Sequence, residues 1–444
     1  MAGSHRAPRG GSRAAAREAR RQKARKRNQT IAAGAAVVVL VGGGGVAALN
    51  AFGGDSSLGS KVGSGPSDDK PTDPSLLFDQ KVLLDGTTAK PLGATGAWAI
   101  TKTDDGSTAP EKAFTCQAQR FADPAGLRTW VRTFQNSATK DTAVQYVDVS
   151  NDKTAAGKTY SSIVGWLSGC SVAKTRLAAS YVTTGVGERG VIAVFSQPSG
   201  TRTRYMTVAV SLAGRATMVL EHDTRGSAPP QPGPVLAAAN AGLKRICAQS
   251  GGCGTGAPVA KPSLLANTES PGFLAPVDLP ALGEIDKPWA SVPATKTGAG
   301  TGCEKIDFKK AKATKYGTLT YVTPDAKVPT EFGLDGTVAK FATSAAAASF
   351  VSQIRKNVDG CEKNVSNASV KSTGSVSVGT IKGESWRATY DTGGGKKFTY
   401  RIGIAGSGDR AVYVLYPVLK GLDLTDSAFK ETLTRAAERS ASYK

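Results

Sequence analysis

The feature that most limits how this chain can fold is that it repeats itself. Pro74-Ser75-Leu76-Leu77 returns as Pro262-Ser263-Leu264-Leu265, and Trp98 returns as Trp289. Cys116 and Cys170 return as Cys303 and Cys361, and Gly214-Arg215-Ala216 with the strand after it returns as Asp409-Arg410-Ala411. The landmarks keep their order, and their offsets drift only from 187 to 195. A repeat on this scale means one supersecondary plan used twice. Two homologous units are expected, at 76–253 and 263–444, joined by a Gly/Pro/Ala linker at 254–262.

Hydrophobic periodicity gives each unit the same element order. In the second, Phe341–Val358 carries Ala347, Phe350, Val351, Ile354 and Val358 at helical spacing. Trp386–Tyr390, Phe398–Ala405 and Ala411–Leu419 read as strands separated by the glycine turns at Gly393–Gly395 and Gly406–Gly408. Ser427–Arg439 closes the unit as an amphipathic helix, with Phe429, Leu433, Ala436 and Ala437 on one face. The first unit matches, with helices at Thr154–Leu167 and Val235–Ile246 and strands at Gly190–Ser196, Arg204–Leu212 and Ala216–Glu221 between them. The predicted class is α+β: two antiparallel sheets, each with a central and a C-terminal helix.

Ahead of the repeat the chain changes character. Residues 1–28 hold ten Lys/Arg against Glu18, part of a net charge of +21. Residues 29–52 hold an apolar stretch, Ile31–Phe52, with no charge. About 20 such residues cross a bilayer core, and a basic flank stays on the cytoplasmic side. The expectation is a disordered cytoplasmic tail, one transmembrane helix, and a flexible Ser/Gly/Asp/Pro linker at 53–75. The rival is a cleaved signal peptide, for which Val46-Ala47-Ala48 offers small residues. Against it stand a long n-region and an apolar stretch longer than the usual h-region. A basic tail can also bind nucleic acid; directly before an apolar span it reads as topology, so no nucleic-acid partner is expected.

Six cysteines with no CxxC point to disulfides in an oxidising compartment. Equivalent positions favour Cys116–Cys170 and Cys303–Cys361, leaving Cys247 to pair with Cys253 across a short loop.

The chemistry-bearing motifs are mostly missing. HExxH, GxSxG and EF-hand patterns do not occur. Gly157-Lys158-Thr159 resembles the end of a phosphate loop, but Asp152 stands where the first glycine is required. His5 lies in the basic tail, and His222 between Glu221 and Asp223 reads as a surface histidine rather than a metal ligand. No cofactor, metal or catalytic set is predicted. Basic residues interleave with aromatics at Arg202, Arg204 and Tyr205, and at Lys396, Lys397, Phe398, Tyr400 and Arg401. A solvated strand face is the plain reading; the functional one is a surface for anionic polymers or lipid head groups formed by Arg202, Arg204, Lys396, Lys397 and Arg401.

The order of stalk, Trp, Cys, a helix of the form F-x-T-S-A-x-A-A-x-x-F ending near a second Cys, strands with Asp409–Val414 and a final helix resembles a known family. It is similar to the PknH-like extracellular sensor domain of actinobacterial (mycobacterial) transmembrane kinases and envelope proteins, here in two tandem copies. The resemblance implies an antiparallel sheet with two helices around a ligand cleft, and makes Cys303–Cys361 and Cys116–Cys170 the bridges that lock the central helices. That family's second bridge, between adjacent strands, has no counterpart; Arg401 and Tyr416 stand about where its cysteines would be. The expected function is a single-pass, membrane-anchored extracytoplasmic ligand-binding or sensor-like protein of the cell envelope, without catalysis of its own. Its ligand would be a small molecule, lipid or glycan, in one unit or between the two, with an envelope protein as a further partner. The alternatives are an envelope enzyme or accessory acting on wall polymers, or a structural assembly partner.

Overall fold

The computed structural model describes residues 78–283, 285–294, 300–330 and 332–444. The predicted tail, transmembrane helix and the whole linker to the first unit lie outside these residues. Among the described residues no helix is long and apolar enough to cross a membrane.

The first sheet is built from β1 (Trp98–Asp105), β2 (Arg128–Asn136), β3 (Thr142–Val149), β4 (Arg176–Thr184), β5 (Arg189–Ser199), β6 (Arg202–Ala213), β7 (Ala216–Gly226) and β8 (Val259–Pro262). Helix α1 (Lys153–Ser168) lies between β3 and β4, and α2 (Gly233–Ser250) follows β7. The second sheet has β9 (Ala290–Pro293), β10 (Lys315–Val322), β11 (Leu334–Lys340), β12 (Ala368–Val378), β13 (Ile381–Asp391), β14 (Lys397–Ser407) and β15 (Arg410–Val418). Helix α3 (Ser344–Asp359) and the single turn α4 (Cys361–Asn364) separate β11 from β12, and α5 (Asp426–Ser440) follows β15. The orders are β1-β2-β3-β7-β6-β5-β4-β8 and, read in the same direction, β9-β10-β11-β15-β14-β13-β12. All ladders are antiparallel. The α+β class is thus observed, with one strand order used twice and β8 added to the first sheet alone.

Local chemistry sets the boundaries. Asp152, Thr343 and Thr425 cap α1, α3 and α5 by accepting from Ala155 N (2.8 Å), Ala346 N (3.1 Å) and Ala428 N (3.1 Å). Helix α2 has no side-chain cap and opens instead on a proline-rich turn. Gly157-Lys158-Thr159 falls inside α1.

Side chains alternate along the strands, so each sheet has two faces. In the first, Val208, Val210 and Val219 pack under α1, while Ala209, Met218 and Leu220 pack under α2. In the second, Ile402, Ile404 and Tyr413 meet α3, while Val412, Val414 and Tyr416 meet α5. Each sheet therefore lies between two helices.

The structure corrects one equivalence. The shared Arg-Ala pair suggested an offset of 195 at β7 and β15. The hairpin turns are Gly214-Arg215 and Gly408-Asp409, closed by the pairs Ala213↔Ala216 and Ser407↔Arg410. Both glycines hold a positive φ, 55° and 60°, a conformation that favours glycine. The true offset is 194. A slip of one residue would send every side chain to the wrong face.

The predicted linker is not a free tether. Val259–Pro262 form β8 on the open edge of β4, with Tyr181↔Pro262 and Thr184↔Val259 in register. Beyond it, Leu265, Ala275 and Val277 join the core beneath α1, while Leu274, Leu279 and Leu282 join the core beneath α5. One segment thus serves both sheets, and the described residues form a single compact unit. Toward the C-terminal ends of α2 and α5, Arg245 binds Asp85 Oδ2 (2.7 Å) and the Lys81 carbonyl (2.6 Å), and Arg439 binds Asp278 and the Leu265 carbonyl (2.7 Å).

Candidate functional site

Where the two sheets meet, a cleft of about 950 Å³ opens between β4, the segment 262–272 and α5. Its walls come from far apart in the sequence: Leu177 and Tyr181 on β4, Leu264 and Pro271 on the connecting segment, and Arg435 and Glu438 on α5. The connecting segment is fixed at each end. Ser180 Oγ donates to the Ser263 carbonyl (2.6 Å), and Ser263 N donates back to the Ser180 carbonyl (3.0 Å). Asn267 Nδ2 donates to the carbonyls of Phe273 (3.2 Å) and Leu274 (3.0 Å), folding the segment back on itself. Arg439 then clamps it to α5. Its guanidinium is buried with Asp278, whose Oδ1 lies 2.8 Å from Nη2.

The charges in the cleft are largely spent on one another. Arg439 is taken by Asp278, and Arg435 pairs with Glu431 one turn away. Glu438 has no salt bridge, and partial burial pushes its carboxyl above the usual range. The result is a concave, mixed apolar and polar surface with one unpaired acid and no unpaired cation. It can bind a ligand with an apolar body and hydrogen-bonding groups. Nothing in it pairs a nucleophile with a base.

The predicted basic surface does not form as one patch. Arg401 is only 3 % exposed. It donates through Nε to Asp423 Oδ1 (2.8 Å) and also pairs with Asp426. It lies on the buried α5 side of its strand, which the sequence did not show. Arg204 is bound by Asp223 (Nε to Oδ2, 2.6 Å). Arg202, Lys396 and Lys397 stay exposed, on two different sheets. Arg202 lines a shallow hollow of about 370 Å³ with Arg176 and Tyr205.

The cysteines pair as expected: Cys116–Cys170, Cys247–Cys253 and Cys303–Cys361. The two long bridges each tie the loop before the second strand of a sheet to the end of its central helix. Beside each lies a buried glutamate. Glu221 accepts from Thr115 N (2.6 Å) and Thr115 Oγ1 (3.0 Å), and Glu304 accepts from Thr301 N (2.8 Å) and Tyr413 OH (2.6 Å). Burial pushes Glu221 up to about 7, although the two bonds from Thr115 pull it down. Burial likewise raises Asp148 to about 6 against the hydroxyl of Tyr146. His222 is not the surface residue its acidic neighbours suggested. It is 6 % exposed, set edge-on to Trp98 at 5.5 Å, and burial lowers its pKa. Glu221 and Asp223 lie on the opposite face of the strand. Among the described residues no group of three or more His, Cys, Asp or Glu is arranged to hold a metal.

No family model and no curated protein matches the chain. Among solved structures, an acyl-CoA thioesterase II, TesB2, from Mycobacterium marinum aligns with 62 % of this chain and 93 % of its own at 13 % identity and a TM-score of 0.10. DynU16, a protein from the dynemicin biosynthetic locus, aligns with 60 % of this chain and 85 % of its own at 10 % identity and the same TM-score. At that level neither bears on the fold or activity of this chain.

Proposed function

We propose that the protein is a membrane-anchored, extracytoplasmic binding protein, sensor-like and without catalysis of its own, whose ligand occupies the cleft between its two sheets. The observation that carries this reading is the cleft itself. It is of a size typical of small-molecule sites, about 300–1,000 Å³, and its walls are held by hydrogen bonds from both halves of the chain. Export and anchoring rest on the uncharged stretch Ile31–Phe52 behind a basic tail, and three disulfides accord with an oxidising compartment.

The resemblance to tandem PknH-like sensor domains is supported by the repeated strand order and by a bridge at the end of each central helix. Arg401 and Tyr416, proposed to stand in place of that family's second bridge, face each other directly across β14 and β15. The ligand class that suits the cleft is an amphipathic lipid or glycan rather than a polyanion, since its one unpaired charge is Glu438.

A thermal-shift series with envelope lipid and glycan extracts tests this. A ligand that binds only the folded state raises its melting temperature. The rise should shrink when Thr434→Trp obstructs the cleft, and a rise unchanged in that variant would rule the cleft out.

A further inference from the structure

The two copies differ most at one buried spot. In the second, Arg401 and Tyr416 pair across β14 and β15 on the face toward α5. Arg401 is neutralised by Asp423 and Asp426, and the Tyr416 hydroxyl donates to the Leu422 carbonyl. Phe332 packs edge-on to Tyr416, 5.4 Å between ring centres, and stacks on Trp289. The Trp289 indole N–H is bound by the Pro280 carbonyl at 2.8 Å. The space is filled and its polar atoms are satisfied.

With the turn glycines aligned, Arg401 and Tyr416 correspond to Thr207 and His222, which pair across β6 and β7 in the same way. Phe332, two residues before Leu334, corresponds to Asp141, two residues before Ala143. Three large side chains have been replaced by smaller ones. A cavity of about 320 Å³ stands in their place, lined by Thr207, His222, Asp141, Thr224, Tyr205 and the proline-rich turn before α2. His222 Nε2 and the neighbouring Trp98 Nε1 are buried without a hydrogen-bond partner. A buried polar atom left unpaired costs on the order of 1–3 kcal/mol, so the imidazole of His222, which lines the cavity, calls for a partner from outside the chain.

We propose that this cavity is a second binding site, taking a small, uncharged, polyhydroxylated molecule of sugar or polyol type. The chemistry of the walls selects that class. Hydroxyls from Thr207, Thr224 and Tyr205, the Gln231 amide and the imidazole can each donate or accept. Tyr205 offers an aromatic flank, and Leu92 and Val235 offer apolar ones. Asp141 opposes an anion, the exposed Arg225 opposes a cation, and no lysine lines the cavity. Neutral His222 fits an uncharged guest.

The chain has two histidines, His5 and His222, so the imidazole nitrogen spectrum of the full chain is a direct reporter, with His222 assigned by its loss in His222→Gln. D-glucose and myo-inositol serve as the polyol probes and inorganic phosphate as the anionic one. Saturable movement of the His222 signal with a polyol, and none at His5, is the expected result. Thr224→Ala should weaken it about tenfold, the loss of one hydrogen bond. His222→Tyr with Thr207→Arg and Asp141→Phe, the residues at the equivalent places in the second copy, should fill the cavity, so that a polyol no longer raises the melting temperature. No response to either polyol at ~100 mM, or a response to phosphate alone, overturns the proposal.

Discussion

Arg245 and Arg439 occupy equivalent places toward the C-terminal ends of α2 and α5, and each grips an acid in the segment that precedes its sheet. The design is one; the surroundings are not. The Arg245 and Asp85 side chains are 32 % and 44 % exposed, whereas those of Arg439 and Asp278 are 5 % and 0 %. The difference arises because the second copy's leading segment is also the joint between the sheets, and burying that joint buries its clamp. The lesson runs through the molecule. Strand order and disulfides repeat, while the chemistry that could serve a ligand sits where the copies part company: the cleft at the joint and the cavity under His222.

The sharpest way to press that contrast is to remove each arginine. Arg439→Ala leaves Asp278 buried and unpaired and should destabilise the protein by about 3–5 kcal/mol. Arg245→Ala should cost under about 1 kcal/mol, as exposed pairs do. Denaturant unfolding measures both, and equal costs would erase the distinction. The long disulfides should instead behave alike. Their partners are 54 and 58 residues apart, so replacing either pair by alanine should cost about 4 kcal/mol on the chain-entropy account. The Cys247–Cys253 bridge, with a separation of 6, should cost nearer 2 kcal/mol.

Next comes pH. Folding raises the Glu221 carboxyl from 4.5 to about 7, so the fold favours its protonated form. Its stabilising contribution is full below about pH 4.5 and lost as pH rises through about 7, on the order of 3 kcal/mol in all. Melting temperatures read between pH 4.5 and 8 should fall, and Glu221→Gln should flatten that fall. The smallest effect belongs to the turn lysines. Lys396→Ser with Lys397→Ser should change stability by less than about 0.5 kcal/mol, which calorimetry can check.

Sequence reading reached the elements with strong local signals. Capped amphipathic helices such as α3 and glycine-bounded hairpins such as β13–β14 were legible because their periodicity and turn chemistry lie within a dozen residues. Strand β12 was not. Ala368–Val378 is mostly Ser, Thr and Gly with Val376 as its one buried residue, and a strand with so little core face looks like a loop. The register at β15 was misjudged because two Arg-Ala pairs agreed by coincidence, while the constraint that sets it is a positive φ at the turn. The cleft could not be seen locally, since Tyr181 and Glu438 come together only after both halves have folded. Helix α5 was read only for the face it buries, and its cleft-facing Glu431, Arg435 and Glu438 were not singled out. His222 was misplaced because neighbours in a strand point to opposite sides.

The shared joint also sets an order of events in time. Residues up to 253 supply helix α1 and the Cys116–Cys170 bridge, but the core beneath them is completed by Leu265, Ala275 and Val277, which come after them in the chain. The first copy therefore waits for the opening residues of the second before it is sealed.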